Sequence, residues 1–166
     1  MSSGEKYSTS SGFRSGQAQD HGAETLQEIL SVFREAFEMD VAFISEFVED
    51  QQVLRIIEGD SETFGVEEGT SLPLEGSICQ RIIDGRVPNA IPDTRADERV
   101  KDLDITRAAN IGSYVGFPLR LSDGRLYGTL CCASHSPDPW LRERDLRLVR
   151  DLAGKATERL ESAGML

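Results

Sequence analysis

The chain has 166 residues, 39% apolar and 28% charged, and 18 basic against 29 acidic side chains give it a net charge of −11. This size fits one domain with one substantial core, and the polarity excludes a protein built of membrane helices. A phosphate backbone is a poor partner for so acidic a chain, because its basic residues are not gathered on one face: Arg142, Arg144, Arg147 and Arg150 alternate with Glu143, Asp145 and Asp151, as on a solvated helix.

Residues 1–22 are rich in Ser, Gly and Gln and almost free of aliphatic side chains, so they are expected to form a flexible tail that cannot offset its ordering entropy. They lack the apolar stretch of a secretory signal. The longest apolar runs, such as 41–47, fall far short of the roughly 20 residues a membrane helix needs, so a cytoplasmic location is expected. From Glu24 onward, Leu26, Ile29, Leu30, Phe33 and Phe37 recur at helical spacing and predict a helix to about Met39. Val41 to Val48 and Val53 to Glu58 predict an antiparallel hairpin turning through Glu49-Asp50-Gln51-Gln52.

A loop-rich passage punctuated by Gly59, Gly65, Gly69, Pro73 and Gly76 follows. Ser77 then caps a short helix carrying Ile78, Cys79, Ile82 and Ile83, which Gly85 ends. Val87 to Ile91 predicts a short strand that Pro88 and Pro92 keep peripheral, and the charged segment from Thr94 to Ala109 reads as partly helical. The clearest signal is a second hairpin, Ser113 to Leu121 and Leu126 to Ser134, around Ser122-Asp123-Gly124-Arg125; these are the expected central strands. A last helix is predicted from about Trp140, with Leu141, Leu148, Val149, Leu152, Ala156 and Leu160 on its stripe. No repeat of 20 to 50 residues is present. The predicted fold class is α+β: an antiparallel sheet with the first and last helices on one face and loops and short helices over the other.

The segments PLEGSICQRIIDGRVPNAIPD at 73–93 and GSYVGFPLRLSDGRLYGTLCCASHSPDPW at 112–140, with this order of elements, resemble the GAF domain family over roughly Glu24 to Leu160. The resemblance implies a single GAF domain, PAS-like in layout, over 23–163. It also implies a regulatory input in bacterial signalling that receives a small molecule or a protein partner, with no catalytic activity of its own. In the family the terminal helices often pair into a homodimer and pass signals to a separate or fused effector; here Leu26, Phe33, Leu152, Ala156 and Leu160 are the candidates. The same stripe would equally cover the sheet within one chain.

A sheet covered by loops leaves room for a semi-enclosed pocket. The candidate lining residues are Phe43, Phe64, Ile78, Cys79, Ile82, Ile91, Asp93, Tyr114, Gly116 and Cys132, and most of them would serve equally as core. Asp93 either meets a ligand from the rim or caps the turn that follows it.

Three cysteines, two of them neighbours, give no disulfide framework. Cys79 lies near a helix start, where a thiol can be activated, and Cys131 and Cys132 face opposite sides of their strand, so at most one joins Cys79. A GAF subfamily reduces free methionine sulfoxide with cysteines in loops over the pocket; this chain departs from that pattern, and such a thiol enzyme is the alternative, beside a dimerisation scaffold without ligand. His21 and His135 are too few for a metal centre, and His135 reads as a surface-turn histidine rather than a haem ligand. No adjacent Cys-His pair of the bilin-attaching kind exists, no cyclic-nucleotide pattern is recognisable, and neither a Walker A loop nor G-x-G-x-x-G appears. No cofactor is required by the sequence.

Overall fold

The computed structural model describes residues 25–164. The expected tail over 1–22 lies outside them. Helix α1 spans Leu26–Phe37 and opens on a capping box, in which the Thr25 hydroxyl accepts from the Glu28 amide at 3.0 Å while the Glu28 carboxylate accepts from the Thr25 amide at 2.8 Å. Strands β1 (Val41–Val48) and β2 (Gln51–Gly59) form the first hairpin, β3 (Ser71–Pro73) extends its edge, and α2 (Ile78–Ile83) follows. Next come β4 (Ala90–Ile91), α3 (Asp104–Ala108), the central hairpin β5 (Ser113–Arg120) and β6 (Leu126–Ser134), and α4 (Arg147–Ser162).

The six strands form one sheet in the order β3-β2-β1-β6-β5-β4, every neighbouring pair antiparallel. Alternation along the strands separates two apolar layers. On one face α1 and α4 pack over Ala42, Ile44, Val115, Leu119, Leu130 and Cys132. On the other, α2 and the loops around Phe64 and Val100 lie over Val41, Tyr114, Cys131 and Ala133.

Four expectations change in detail. The first turn is only Glu49-Asp50, with Glu49 at φ 56°, and Gln51 and Gln52 belong to β2. The last helix starts at Arg147, not Trp140. Asp138 accepts from the Trp140 amide and the Arg144 guanidinium and folds 141–143 into a tight turn, and Asp145 then accepts from the Arg147 amide at 2.9 Å. β4 keeps two residues, beginning two beyond Pro88. Finally, the dimer candidates Phe33, Leu152, Ala156 and Leu160 are buried in the chain's own core, with Leu26 packed at its margin, so this stripe covers the sheet and is not a free dimer surface.

Two glycines report on the packing. A Cβ on Gly128, in β6, would collide with the Ser45 backbone of β1, whereas one on Gly154, on the exposed side of α4, meets nothing within 4 Å. In chemical denaturation Gly128→Ala is expected to lose roughly 1–3 kcal/mol as an overpacked site, and Gly154→Ala to gain roughly 0.5–1 kcal/mol from helix propensity.

Candidate functional site

Over the middle of the sheet, on the face away from α1 and α4, lies a semi-enclosed cavity of ≈ 500 Å³. Its floor comes from Val41 and Phe43 of β1, Gln52 and Leu54 of β2, Tyr114 of β5 and Ala133 of β6. Phe64 and Ile78 wall it, and the segment from Asp102 to Ile111 roofs it. A β-bulge makes this floor possible. The β1–β2 register shifts between Ile44 and Ser45, so Leu54 faces the cavity, while Ile56, two residues on, packs on the helix side.

The roof is tied down by polar contacts. The Thr94 hydroxyl donates to the Ile111 carbonyl, and the Arg95 guanidinium donates to the His135 carbonyl at 2.9 Å and to the Asn110 side-chain oxygen at 2.7 Å. The His135 ring stacks on Phe64, centroids 3.9 Å apart, and Nδ1–H donates to the Asn110 carbonyl at 2.8 Å. That tautomer leaves Nε2 to accept from the Thr63 hydroxyl at 2.8 Å. Both ring nitrogens are therefore engaged, and His135 is a clamp between roof and sheet.

Beside the cavity, between α2 and the sheet, lies a buried polar group centred on Cys79. Its Sγ lies 3.1 Å from Gln52 Nε2, 2.9 Å from the Tyr114 hydroxyl, 3.3 Å from Thr129 Oγ1 and 3.2 Å from Cys131 Sγ. Gln52 also donates to Ser45 Oγ at 3.1 Å, and Ser45 and Thr129 share a hydrogen bond of 2.6 Å. One proton assignment satisfies all of these: Gln52 donates to Ser45, Ser45 to Thr129, and Thr129 to the sulfur. Burial alone would push the Cys79 thiol up, but the hydrogen bonds from Cys131, Thr129, Tyr114 and Gln52 outweigh it and bring the thiol down to about 7. Burial and the neighbouring negative sulfur push Cys131 and Tyr114 well up, so they stay protonated and act as donors to a Cys79 thiolate.

Of the residues singled out from sequence, Phe43, Phe64, Ile78 and Tyr114 line the cavity. Cys79, Ile82 and Ile91 sit in the apolar layer beside it. Gly116 permits close approach: a Cβ there would lie 2.9 Å from Ile82 Cδ1. Cys132 is on the wrong face, buried among the helix-side residues, and the cysteine that joins Cys79 is Cys131. Asp93 is away from the cavity; it accepts from the Ala96 amide at 3.2 Å, as a cap would, and borders a separate, shallow recess with Arg142. Gln52, Ser45 and Thr129 carried no sequence signal, being short polar side chains in or beside strands. Tyr114→Phe removes one donor from the thiolate and is expected to raise the pH at which Cys79 ionises by roughly one unit, the worth of one hydrogen bond to a charge; ultraviolet thiolate absorbance across a pH titration measures it.

Two relatives and one solved structure place this geometry. The chain is 22% identical over 151 residues to a diguanylate cyclase of Escherichia coli, and 24% identical over 151 residues to a cyclic di-GMP phosphodiesterase of Pseudomonas aeruginosa. These matches take in 90% and 89% of this chain but only 43% and 24% of those proteins, so the chain spans less than half the length of either. A free methionine-R-sulfoxide reductase of Neisseria meningitidis has the same fold, with a TM-score of 0.63 at 20% identity over 84% of this chain and 78% of that one. The model of the GAF domain family matches residues 21–160, and with that coverage the chain belongs to the GAF domain family.

Proposed function

We propose that the chain is a cytoplasmic sensory GAF domain of bacterial signal transduction, one that binds a small molecule over its sheet and does no catalysis itself. The observation that carries this reading is the cavity of ≈ 500 Å³, roofed by α3 and its flanking loops instead of being filled by side chains. This is the size of ordinary small-molecule sites. The two curated relatives, named for cyclic di-GMP chemistry, support a place in signalling.

The lining supplies the ligand's chemistry. Phe43, Leu54, Phe64 and Ile78 offer apolar contact, and Gln52 and Tyr114 offer the polar groups of the floor. Its charged members are the exposed Glu75, Asp102 and Asp104 at the mouth, and among the described residues no Lys, Arg or His lines it. A phosphorylated ligand would find no cationic side chain in the lining, Arg107 being held by Asp102, so the reading favours a neutral or cationic, largely apolar molecule. A homodimer and a signalling effector belong to the same proposal. The dimer would use the outward side of α1, where Val32 is exposed, because the inward stripe is already buried.

A second reading, a thiol-dependent reductase of free methionine sulfoxide, is favoured by one observation, the sulfur pair of Cys79 and Cys131 beside the cavity. Turnover of that substrate with a dithiol reductant would overturn the non-catalytic reading.

Native mass spectrometry of protein purified from its own host is expected to show a mass excess that denaturation removes. Ala108→Trp, which places a bulky ring at the mouth, is expected to abolish that excess while leaving the thermal unfolding midpoint nearly unchanged. A clean apo mass for the unmodified chain, with no thermal shift from any apolar amine or neutral ligand screened, would count against the sensor and favour a scaffold.

A further inference from the structure

Cys79 and Cys131 come from different elements, α2 and β6, 52 positions apart in sequence, and meet at 3.2 Å with 1% and 0% of their surfaces exposed. Around them Gln52, Tyr114 and Thr129 aim hydrogen bonds at one sulfur within an otherwise apolar layer. Gathering that many polar groups in a core is costly unless they are satisfied, and an inert core thiol needs none of them. Cys132 gives the internal comparison. One residue further along β6 it is as deeply buried, packs on the helix side among apolar residues, and burial pushes its thiol far up.

We propose that Cys79 and Cys131 are a peroxide-sensing dithiol, with Cys79 as the attacking sulfur and Cys131 as the resolving one. Hydrogen peroxide enters through the cavity, whose floor residues Gln52 and Tyr114 are hydrogen-bonded to Cys79 Sγ. The Cys79 thiolate attacks one peroxide oxygen, the O–O bond breaks, and hydroxide leaves, giving a sulfenic acid. Cys131 then attacks that sulfur, the S–O bond breaks, and the Cys131 proton departs with the hydroxide as water. The two sulfurs together lose two electrons and the peroxide gains them. Bond formation needs the sulfurs to close from 3.2 Å to about 2.05 Å. Helix α2, six residues long and set between Gly76 and Gly85, both at positive φ, can make so small a shift. Closure withdraws the sulfur from Gln52 and Tyr114 and so changes the cavity floor.

The proposal goes beyond the sensory reading and its test needs no ligand, so either can fail alone. The full chain is treated with equimolar hydrogen peroxide, remaining thiols are alkylated, and the peptides are mapped. The expected product links Cys79 to Cys131 with Cys132 alkylated, is reversed by a dithiol reductant, and forms more slowly at pH 6 than at pH 8, following the thiolate fraction. Cys131→Ser is expected to stop at a sulfenic acid on Cys79 that dimedone traps, and Cys132→Ala to leave the linkage intact. The wild-type map decides the matter even if a cysteine variant does not fold. Linkage that forms only in denaturant, oxidation of Cys132 as fast as Cys79, or a rate flat across that pH range would each overturn the proposal.

Discussion

Strand β6 hydrogen-bonds to β1 on one side and β5 on the other, and it is buried on both faces from Tyr127 to Ser134. A strand so placed leaves no freedom of register, because a slip of one residue would send Leu130 into the cavity face and Thr129 into the helix-side core. Everything else depends on that constraint. With Leu130 and Cys132 turned toward α1 and α4, Thr129, Cys131 and Ala133 must take the opposite face, where Thr129 and Cys131 meet Cys79 of α2 and the small Ala133 forms part of the cavity floor. Gly128 adds to the same arrangement by letting β1 approach β6 where a side chain would collide with the Ser45 backbone.

Much of this was legible in the residues. The stripe on α1, the Ser77 cap, the stop at Gly85 and the β5–β6 hairpin all follow from local rules, because in each case one short-range interaction decides the conformation. The choice of Cys132 over Cys131 shows where a further step was available. A turn centred on Asp123-Gly124 sets Gly116 opposite Cys131 and Tyr114 opposite Ala133, as the structure has them, and directly opposed residues share a face. Having placed Tyr114 and Gly116 at the pocket, the register already selected Cys131. Gln52 was harder. A Gln-Gln pair after Glu-Asp reads as turn, and the bulge that brings Gln52 and Leu54 to one face and Ile56 to the other is a tertiary event without a local signature. The start of α4 was obscured in the same way, since Leu141 keeps helical spacing with the stripe although it is buried from a tight turn ahead of the helix.

The charge of the chain takes on a more local meaning in the fold. Among the described residues, most of the arginine in the carboxyl-terminal half is paired to nearby carboxylates at the surface, as Arg99 with Asp97, Arg107 with Asp102, Arg125 with Asp123 and Arg147 with Asp145. Such pairs add little stability when exposed. One of them touches the cavity, since Arg107 holds Asp102 of the lining, while the lining's own charged side chains, Glu75, Asp102 and Asp104, are carboxylates over an apolar interior.

The floor also ties the two readings of the site to each other. Gln52 and Tyr114 line the cavity and donate to Cys79, so their hydrogen bonds cannot be spent fully on a ligand and on a thiolate at once. A ligand that draws the Tyr114 hydroxyl or the Gln52 amide toward itself leaves the sulfur with fewer donors in the same low-dielectric layer, where burial already opposes its ionisation. The ligand therefore favours the protonated thiol. Linkage is reciprocal, so the thiolate must weaken the binding of that ligand by the same factor, and removing the thiolate as a disulfide must release the donors to it. A ligand that touches only the apolar walls at Phe64 and Ile78 would carry no such coupling. Whether occupancy and oxidation state are one signal or two thus rests on which atoms of the floor an occupant uses, and the shared donors make the polar occupant the one that couples them.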